Sequence, residues 1–141
     1  MPSVHINVAA LLVAVAINMV VGFVWYAPQV MGKTWQKLVG LSDSDMKNAN
    51  RVAPILSMLI LAFVEIFVLK HFISYTAYYY PTYSDASVGL ITGIWVWLGF
   101  VFPVLAGSYM FAQRRKKLLA IDSGYHLIVL LAAGYVLAVW K

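Results

Sequence analysis

Residues 53–75 read APILSMLILAFVEIFVLKHFISY, an almost continuous apolar stretch whose charged side chains are Glu65 and Lys70. A helix needs about 20 such residues to cross the roughly 30 Å hydrocarbon core of a bilayer. Transmembrane β-strands would instead be short segments that alternate apolar and polar residues. Three further stretches of similar character lie at residues 6–28, 86–112 and 122–140. The sequence therefore predicts an all-α polytopic membrane protein, a bundle of four transmembrane helices.

The amino-acid composition agrees with this architecture. Of the 141 residues, 63% are hydrophobic and 11% are charged, and none is a cysteine. Soluble domains are about 45–50% apolar and about 25% charged. The chain is too apolar for a disordered segment, and it lacks the thiols of a disulfide scaffold or a cysteine-ligated metal site. We expect a single integral membrane domain over residues 1–141.

The distribution of basic residues predicts how the spans are oriented. Eight of the ten lysines and arginines fall in two loops on the same side, residues 29–52 and 113–121. They are Lys33, Lys37, Lys47, Arg51, Arg114, Arg115, Lys116 and Lys117. Because Lys and Arg accumulate in cytoplasmic loops, we expect both loops in the cytoplasm and both termini outside. This bias accounts for the net charge of +5, so no nucleic-acid partner is expected.

The basic run from Arg114 to Lys117 has two interpretations. It anchors the topology, or it also contacts the headgroups of anionic lipids. Membrane lipid is therefore an expected partner of this protein.

The segment after the first span is predicted to form a short helix in the membrane interface. Trp35, Leu38 and Val39 would share one side of this helix, and Lys33 and Lys37 would share another. Such a separation of apolar and basic faces suits a helix that lies along the bilayer surface.

The beginning of the second helix is predicted from its capping residues. Ser42 precedes Asp45 by three residues, a spacing that resembles a capping box. We therefore expect the second helix to begin near Asp43 and to enter the membrane near Val52.

Small residues recur every four positions along the first and third spans. They are Ala10, Ala14, Asn18 and Gly22, then Gly89 and Gly93, and then Gly99, Pro103 and Gly107. Small side chains let helices approach closely in a membrane, where burial of leucine offers little advantage over lipid. We expect these stripes to pack a compact bundle, and the alternative is the face of a homo-oligomer. Pro103 is expected to kink the third helix.

Glu65 is the acid that stands out inside the spans. It lies about twelve residues, or roughly 18 Å, from the start of the second span, near the bilayer centre. A charge there costs at least about 2.5 kcal/mol. Asn18 lies at nearly the same depth in the first span, so the two side chains are able to share a hydrogen bond. Glu65 is either a proton- or cation-binding group in a polar pocket or a neutral acid that fixes helix register.

His126 and Trp97 complete the candidates for a ligand or ion pocket. His126 is about one turn inside the predicted fourth span, so Ser108 or Tyr109 is its expected hydrogen-bond partner, with a proton relay as the alternative. Trp97 either lines a cavity or fills the core of the bundle. No close spacing of His, Asp and Glu predicts a metal site, and no cofactor is expected.

Several short motifs occur near the cytoplasmic ends of the predicted helices. They are Gly22 to Pro28 (GFVWYAP), Gly32 to Trp35 (GKTW), Trp97 to Phe100 (WLGF) and Gly124 to His126 (GYH). In this order they resemble the bacterial domain-of-unknown-function family 1761 over nearly the whole chain. The resemblance implies a four-helix protein of a bacterial inner membrane and no established reaction. The motif positions are Gly22, Trp25, Tyr26, Pro28, Gly32, Trp35, Gly99 and His126.

The sequence favours a protein that is not an enzyme. It contains no H-E-x-x-H or G-x-S-x-G motif and no glycine-rich phosphate loop after a strand, so we assign no catalytic residue. We expect a bundle that binds a small hydrophobic or lipid molecule, or assists another membrane protein, and keeps its function in Glu65→Gln. The alternative is a subunit of an oligomeric transporter or channel that uses Glu65 as a proton or cation site. A small membrane enzyme would need a polar pocket to which Arg114, Arg115 and His126 contribute.

Overall fold

The structure, a computed structural model, describes residues 3–141, which form α-helices joined by short turns. In chain order the helices are α1 (Val8–Trp25), α2 (Lys33–Val39), α3 (Asp43–Asn48), α4 (Val52–Tyr79), α5 (Asp85–Val96), α6 (Phe102–Phe111) and α7 (Lys116–Val139). Two π-helical turns, Pro28–Gly32 and Trp97–Val101, precede α2 and join α5 to α6. The predicted all-α fold class is confirmed.

Among residues 3–141, four helices are long and apolar enough to cross a membrane: α1, α4, the continuous α5–α6 segment and α7. Consecutive long helices run in opposite directions, so the loops with the eight basic residues meet at one end of the bundle. We call this the basic end and the other the opposite end. The four-helix architecture and the short helix after the first span are as predicted. Orientation and membrane type stay predictions.

The second long helix begins at Val52 and not near Asp43. Residues from Asp43 to Asn48 form the separate helix α3. A continuous helix is unfavourable because the ring of Pro54 would clash with the carbonyl of Asn50 one turn earlier. In the first turn of α4, where backbone N–H groups have no partner, the same proline is tolerated.

The predicted capping box is present at the start of α3. The Ser42 hydroxyl accepts a hydrogen bond from the Asp45 backbone N–H, and the Asp45 carboxylate accepts one from the Ser42 backbone N–H. These bonds favour the ionised acid, and hydrogen bonding from Ser42 lowers the pKa of the Asp45 carboxyl. The box therefore starts α3 independently of α4.

The last helix, α7, begins at Lys116, six residues before the predicted start of the fourth span at Asp122. The four basic residues at its start are exposed, so the first turns of this helix extend beyond the apolar segment. This extension places His126 ten residues inside the helix, which is about 15 Å from its start. His126 faces Glu65 at a distance of 3.8 Å, so it lies much deeper in the bundle than the sequence indicated.

Helix α7 is the centre of the core, and its closest neighbours are α5 and α1. A Cβ atom on Gly89 would lie 2.3 Å from the carbonyl oxygen of Gly134, and one on Gly93 would lie 2.7 Å from the carbonyl oxygen of Leu130. Two helix backbones approach this closely only where side chains are absent. The Gly89–Gly93 pair therefore packs within one chain, as expected for a compact bundle.

The second part of the small-residue stripe does not pack in this way. A Cβ atom on Gly99 or Gly107 would meet no atom within 4 Å. The expectation that these glycines continue the contact surface is wrong, because no residue of the π-helical turn Trp97–Val101 or of α6 is buried. The change in the hydrogen-bonding pattern lies directly before Pro103, which has no N–H to continue an α-helix.

Lys70 lies inside the bundle and not among the exposed charges of a loop. It is 8% exposed, and its ammonium group donates a hydrogen bond to the Leu137 carbonyl at 3.0 Å. A buried ammonium needs such acceptors because it loses its hydration. Lys141, the other basic residue outside the two loops, is exposed and pairs with Asp85 at 2.8 Å.

We predict that Gly89→Ala destabilises the protein by about 1–3 kcal/mol, because its methyl group forces α5 and α7 apart. Gly107→Ala is the matched control, since its methyl group meets no atom and alanine favours the helix by about 1 kcal/mol. Thermal unfolding of the purified protein measures both. Equal midpoints for the two variants would contradict the close approach of α5 and α7.

Candidate functional site

A cavity of about 660 Å³ lies in the half of the bundle nearest the basic end. Residues of α1, α2, α3, α4, α6 and α7 line it. Its walls are mainly apolar, with side chains such as Phe23, Met58, Leu61 and Leu105. Small-molecule sites in proteins usually enclose about 300–1,000 Å³ and combine apolar walls with a few polar groups. The cavity therefore has the size and character of a ligand site.

Asn18 connects three helices at one wall of this cavity. Its Nδ2 donates to Glu65 Oε2 of α4 at 2.9 Å, and its Oδ1 accepts from the Tyr125 hydroxyl of α7 at 2.8 Å. The Asn18 residue is 3% exposed, so both ends of the amide are satisfied inside the bundle. The equal depth of Asn18 and Glu65 in the sequence suggested a hydrogen bond between them, and this hydrogen bond is present.

Glu65 has a second oxygen that makes no hydrogen bond within residues 3–141. This oxygen, Oε1, lies 3.8 Å from Nδ1 of His126, and the Glu65 side chain is 28% exposed. The distance exceeds a hydrogen bond, and His126 Nδ1 is buried without any partner among the described residues. The expected bond from Ser108 or Tyr109 to His126 is absent, because His126 lies deeper than predicted. Glu65 and His126 instead face each other.

A second acid, Asp122, lines the same cavity nearer the basic end. Its Oδ1 accepts from the Tyr26 hydroxyl at 2.7 Å, and its Oδ2 accepts from the Tyr109 hydroxyl. Hydrogen bonds to a charged group are stronger than those between neutral groups. The carboxyl group of Asp122 therefore joins the end of α1 and the end of α6 to α7.

Aromatic rings form a continuous row along the cavity. The ring centroids are 5.7 Å apart for Trp35 and Tyr26, 5.4 Å apart for Tyr26 and Tyr125, and 4.9 Å apart for Tyr125 and His126. All four residues line the cavity. Contacts at these distances hold the rings in place, so this wall has a fixed shape.

Two tryptophans of the motifs stabilise the bundle from outside the cavity. The Trp25 indole N–H donates to the Ile121 carbonyl at 3.1 Å, and the Trp97 indole N–H donates to the Ser123 carbonyl at 2.8 Å. Trp97, a pocket candidate from the sequence, packs instead against the core cluster. Both tryptophans therefore hold α7 in position.

The structure brings most of the other candidates together. The cavity is lined by Asn18, Glu65, His126, Gly22, Tyr26, Pro28, Gly32 and Trp35. Gly99 does not line it, and Arg114, Arg115, Lys116 and Lys117 are exposed at the basic end. Within residues 3–141, no group of three His, Asp or Glu side chains could hold a metal ion. The candidates thus divide into a cavity set and a surface set.

Asp122, Tyr125 and Tyr109 were not predicted as site residues. Asp122, Tyr125 and His126 are spaced by three and four residues, so they share one face of a helix. Because the fourth span was predicted to start at Asp122, this acid was expected at the boundary of the membrane and not on a face inside the bundle. Basic residues lie on both sides of the start of α7 at Lys116, so they do not show where this helix begins.

We predict that Tyr26→Phe destabilises the protein by about 0.5–1.5 kcal/mol, because Asp122 loses one hydrogen bond. Tyr83→Phe is the control, since the Tyr83 side chain is 47% exposed and its hydroxyl makes no hydrogen bond within residues 3–141. Thermal unfolding of the two variants gives the comparison. The assigned role of Asp122 would be refuted by a Tyr26→Phe protein as stable as the unaltered chain.

Most of the chain matches one protein family. Residues 9–138 match the family described as "Protein of unknown function (DUF1761)". No curated protein matches the chain, and no solved structure matches it. The matched segment extends from the first turn of α1 to the last turn of α7. The chain therefore belongs to the DUF1761 family.

Proposed function

We propose that this protein is a non-enzymatic membrane protein that binds one small hydrophobic or lipid molecule between α1, α4 and α7. The cavity of about 660 Å³ carries the proposal, because its walls are apolar and its polar groups are gathered at a few points. An apolar ligand would bury its body against Phe23, Met58 and Leu105. Its polar group would meet Glu65.

The exposed side chains at the cavity rim support entry from the bilayer. Phe23, Met58 and Leu61 line the cavity and are 59%, 41% and 66% exposed. Because α1 and α4 are long apolar helices, these exposed side chains face lipid in a membrane. A hydrophobic molecule dissolved in the bilayer would therefore reach the cavity between α1 and α4 without crossing water.

An enzyme reading has less support. It would bring Arg114, Arg115 and His126 into one pocket, yet the two arginines are exposed in the turn before α7 and do not line the cavity. Asp122 is held by two tyrosine hydroxyls, and Glu65 is held by Asn18. These hydrogen bonds are consistent with acids that join helices and bind a ligand, and not with acids that catalyse a reaction.

Transport through Glu65 is the second candidate function, and the proximity of Glu65 and His126 halfway along the bundle favours it. Between Glu65 and the opposite end, however, Ile66, Leu69 and Leu130 are at most 2% exposed and closely packed. A proton or cation path would need an oligomer or a second conformation to pass them. Proton flux into liposomes that Glu65→Gln abolishes would favour transport over binding alone.

We predict that Met58→Trp weakens binding of a neutral apolar dye at least tenfold, which is about 1.4 kcal/mol, because the indole fills the cavity. The probe is N-phenyl-1-naphthylamine, and the measurement is its saturable fluorescence with the protein in lipid nanodiscs, after subtraction of empty nanodiscs. Leu59→Trp is the matched control, since Leu59 is 44% exposed, similar to Met58, and lies outside the cavity.

The two variants separate cavity binding from partition into lipid. The proposal requires unaltered affinity in Leu59→Trp and a loss in Met58→Trp. Signals that do not saturate, or that fall equally in both variants, would show that the dye does not occupy the cavity.

A further inference from the structure

Building on the proposed binding function, we propose that the ligand is an organic cation, an amine or onium group attached to an apolar body. Its positive charge would lie against the Glu65 carboxylate. The charges, the open hydrogen-bonding capacity and the aromatic wall of the cavity each point to this class of ligand.

The balance of charge in the cavity favours a cationic ligand. The acids Glu65 and Asp122 and the base Lys33 line it, together with His126, which is positive only when protonated. Within residues 3–141, neither acid forms an ion pair with a lysine or arginine. A carboxylate among apolar side chains is stabilised by a counter-charge, because apolar surroundings solvate it poorly. A bound cation would supply that counter-charge.

One carboxylate oxygen in the cavity is free to bind a ligand. Both oxygens of Asp122 already accept hydrogen bonds from tyrosines, and Oε2 of Glu65 accepts one from Asn18. Oε1 of Glu65 makes no hydrogen bond within the described residues, although its carboxyl group borders the cavity. The side chain is held in place through Oε2, so the open oxygen is positioned in advance for a donor or a cation.

The row of aromatic rings near Glu65 also favours a cation. Trp35, Tyr26 and Tyr125 line the cavity in consecutive contact. Aromatic faces attract ammonium and onium groups, and the attraction increases where water is excluded. An acid combined with several rings is therefore selective for an organic cation over an anion of the same shape.

The size of the cavity favours an organic cation over an inorganic one as the ligand. A metal ion bound at Glu65 would need several oxygen ligands, and Asp122 is already occupied by its two tyrosines. Such an ion would also leave most of the roughly 660 Å³ unused. A cation with an apolar body fills both the charged point and the apolar walls.

Two probes of the same size and opposite charge test this proposal. Equilibrium dialysis measures tetraphenylphosphonium and tetraphenylborate binding to the protein in nanodiscs of uncharged lipid, with empty nanodiscs subtracted. We expect saturable binding of about one tetraphenylphosphonium per chain, at least tenfold tighter than tetraphenylborate. Glu65→Gln should weaken tetraphenylphosphonium binding at least tenfold, because the amide still accepts from Asn18 but carries no charge. This result departs from the sequence-based expectation that function survives in Glu65→Gln.

Asp85→Asn is the matched control, because it removes an acid at the opposite end, where Asp85 pairs with Lys141. Its tetraphenylphosphonium affinity should change less than twofold. Saturable binding of the neutral dye N-phenyl-1-naphthylamine to Glu65→Gln, at whatever affinity, reports that the variant keeps a cavity. If Glu65→Gln does not fold, the comparison of the two probes on the unaltered protein decides the question.

The outcomes separate the two proposals. Equal affinity for both probes, or a Glu65→Gln protein that keeps its tetraphenylphosphonium affinity, would overturn the organic cation while dye binding still supports a ligand cavity. Failure of the dye and of both probes to bind the unaltered protein would overturn the binding function itself and the inference that rests on it.

Discussion

The two hydrogen bonds of the Asn18 amide constrain the rest of the bundle. An acid inside a membrane helix requires polar partners, because lipid offers none. Asn18 supplies one to Glu65 and takes one from Tyr125, so α1, α4 and α7 meet at a single register. Sliding any of these helices by one residue would leave buried polar groups unpaired, at a cost of about 1–3 kcal/mol each. The position of the cavity follows from this junction.

Asp122 forms a second polar junction closer to the basic end. There, too, hydrogen bonds to an acid join the helices. Hydroxyls from Tyr26 and Tyr109 satisfy its carboxylate, while indoles of Trp25 and Trp97 donate to carbonyls of α7 nearby. Small residues bring α5 against α7 near the opposite end, while the polar junctions join the helices that surround the cavity. The bundle is therefore tightly packed in one half and open in the other.

The sequence predicts the long helices well and the site only in part. Length and apolarity identify the four helices, and the equal depth of Asn18 and Glu65 was enough to consider their hydrogen bond. The beginning of α7 was not predictable in the same way, because exposed basic residues are compatible with a loop and with a first helical turn. Because this one boundary was predicted wrongly, His126 was expected too close to the basic end and Asp122 was not recognised as a site residue. Side-chain partners such as Ser123 for Trp97 depend on helix rotation, which the apolar pattern of a membrane helix leaves undefined.

We propose that the polar junction around Glu65 borders a ligand site and does more than pack the helices together. A structure of the purified protein in lipid nanodiscs, at a resolution that shows side chains, tests it most directly. We predict elongated non-protein density in the cavity, with one end beside the open oxygen of Glu65 and the body between Phe23 and Met58. A bundle in which side chains fill the cavity and Glu65 bonds only to Asn18 and His126 would contradict the claim.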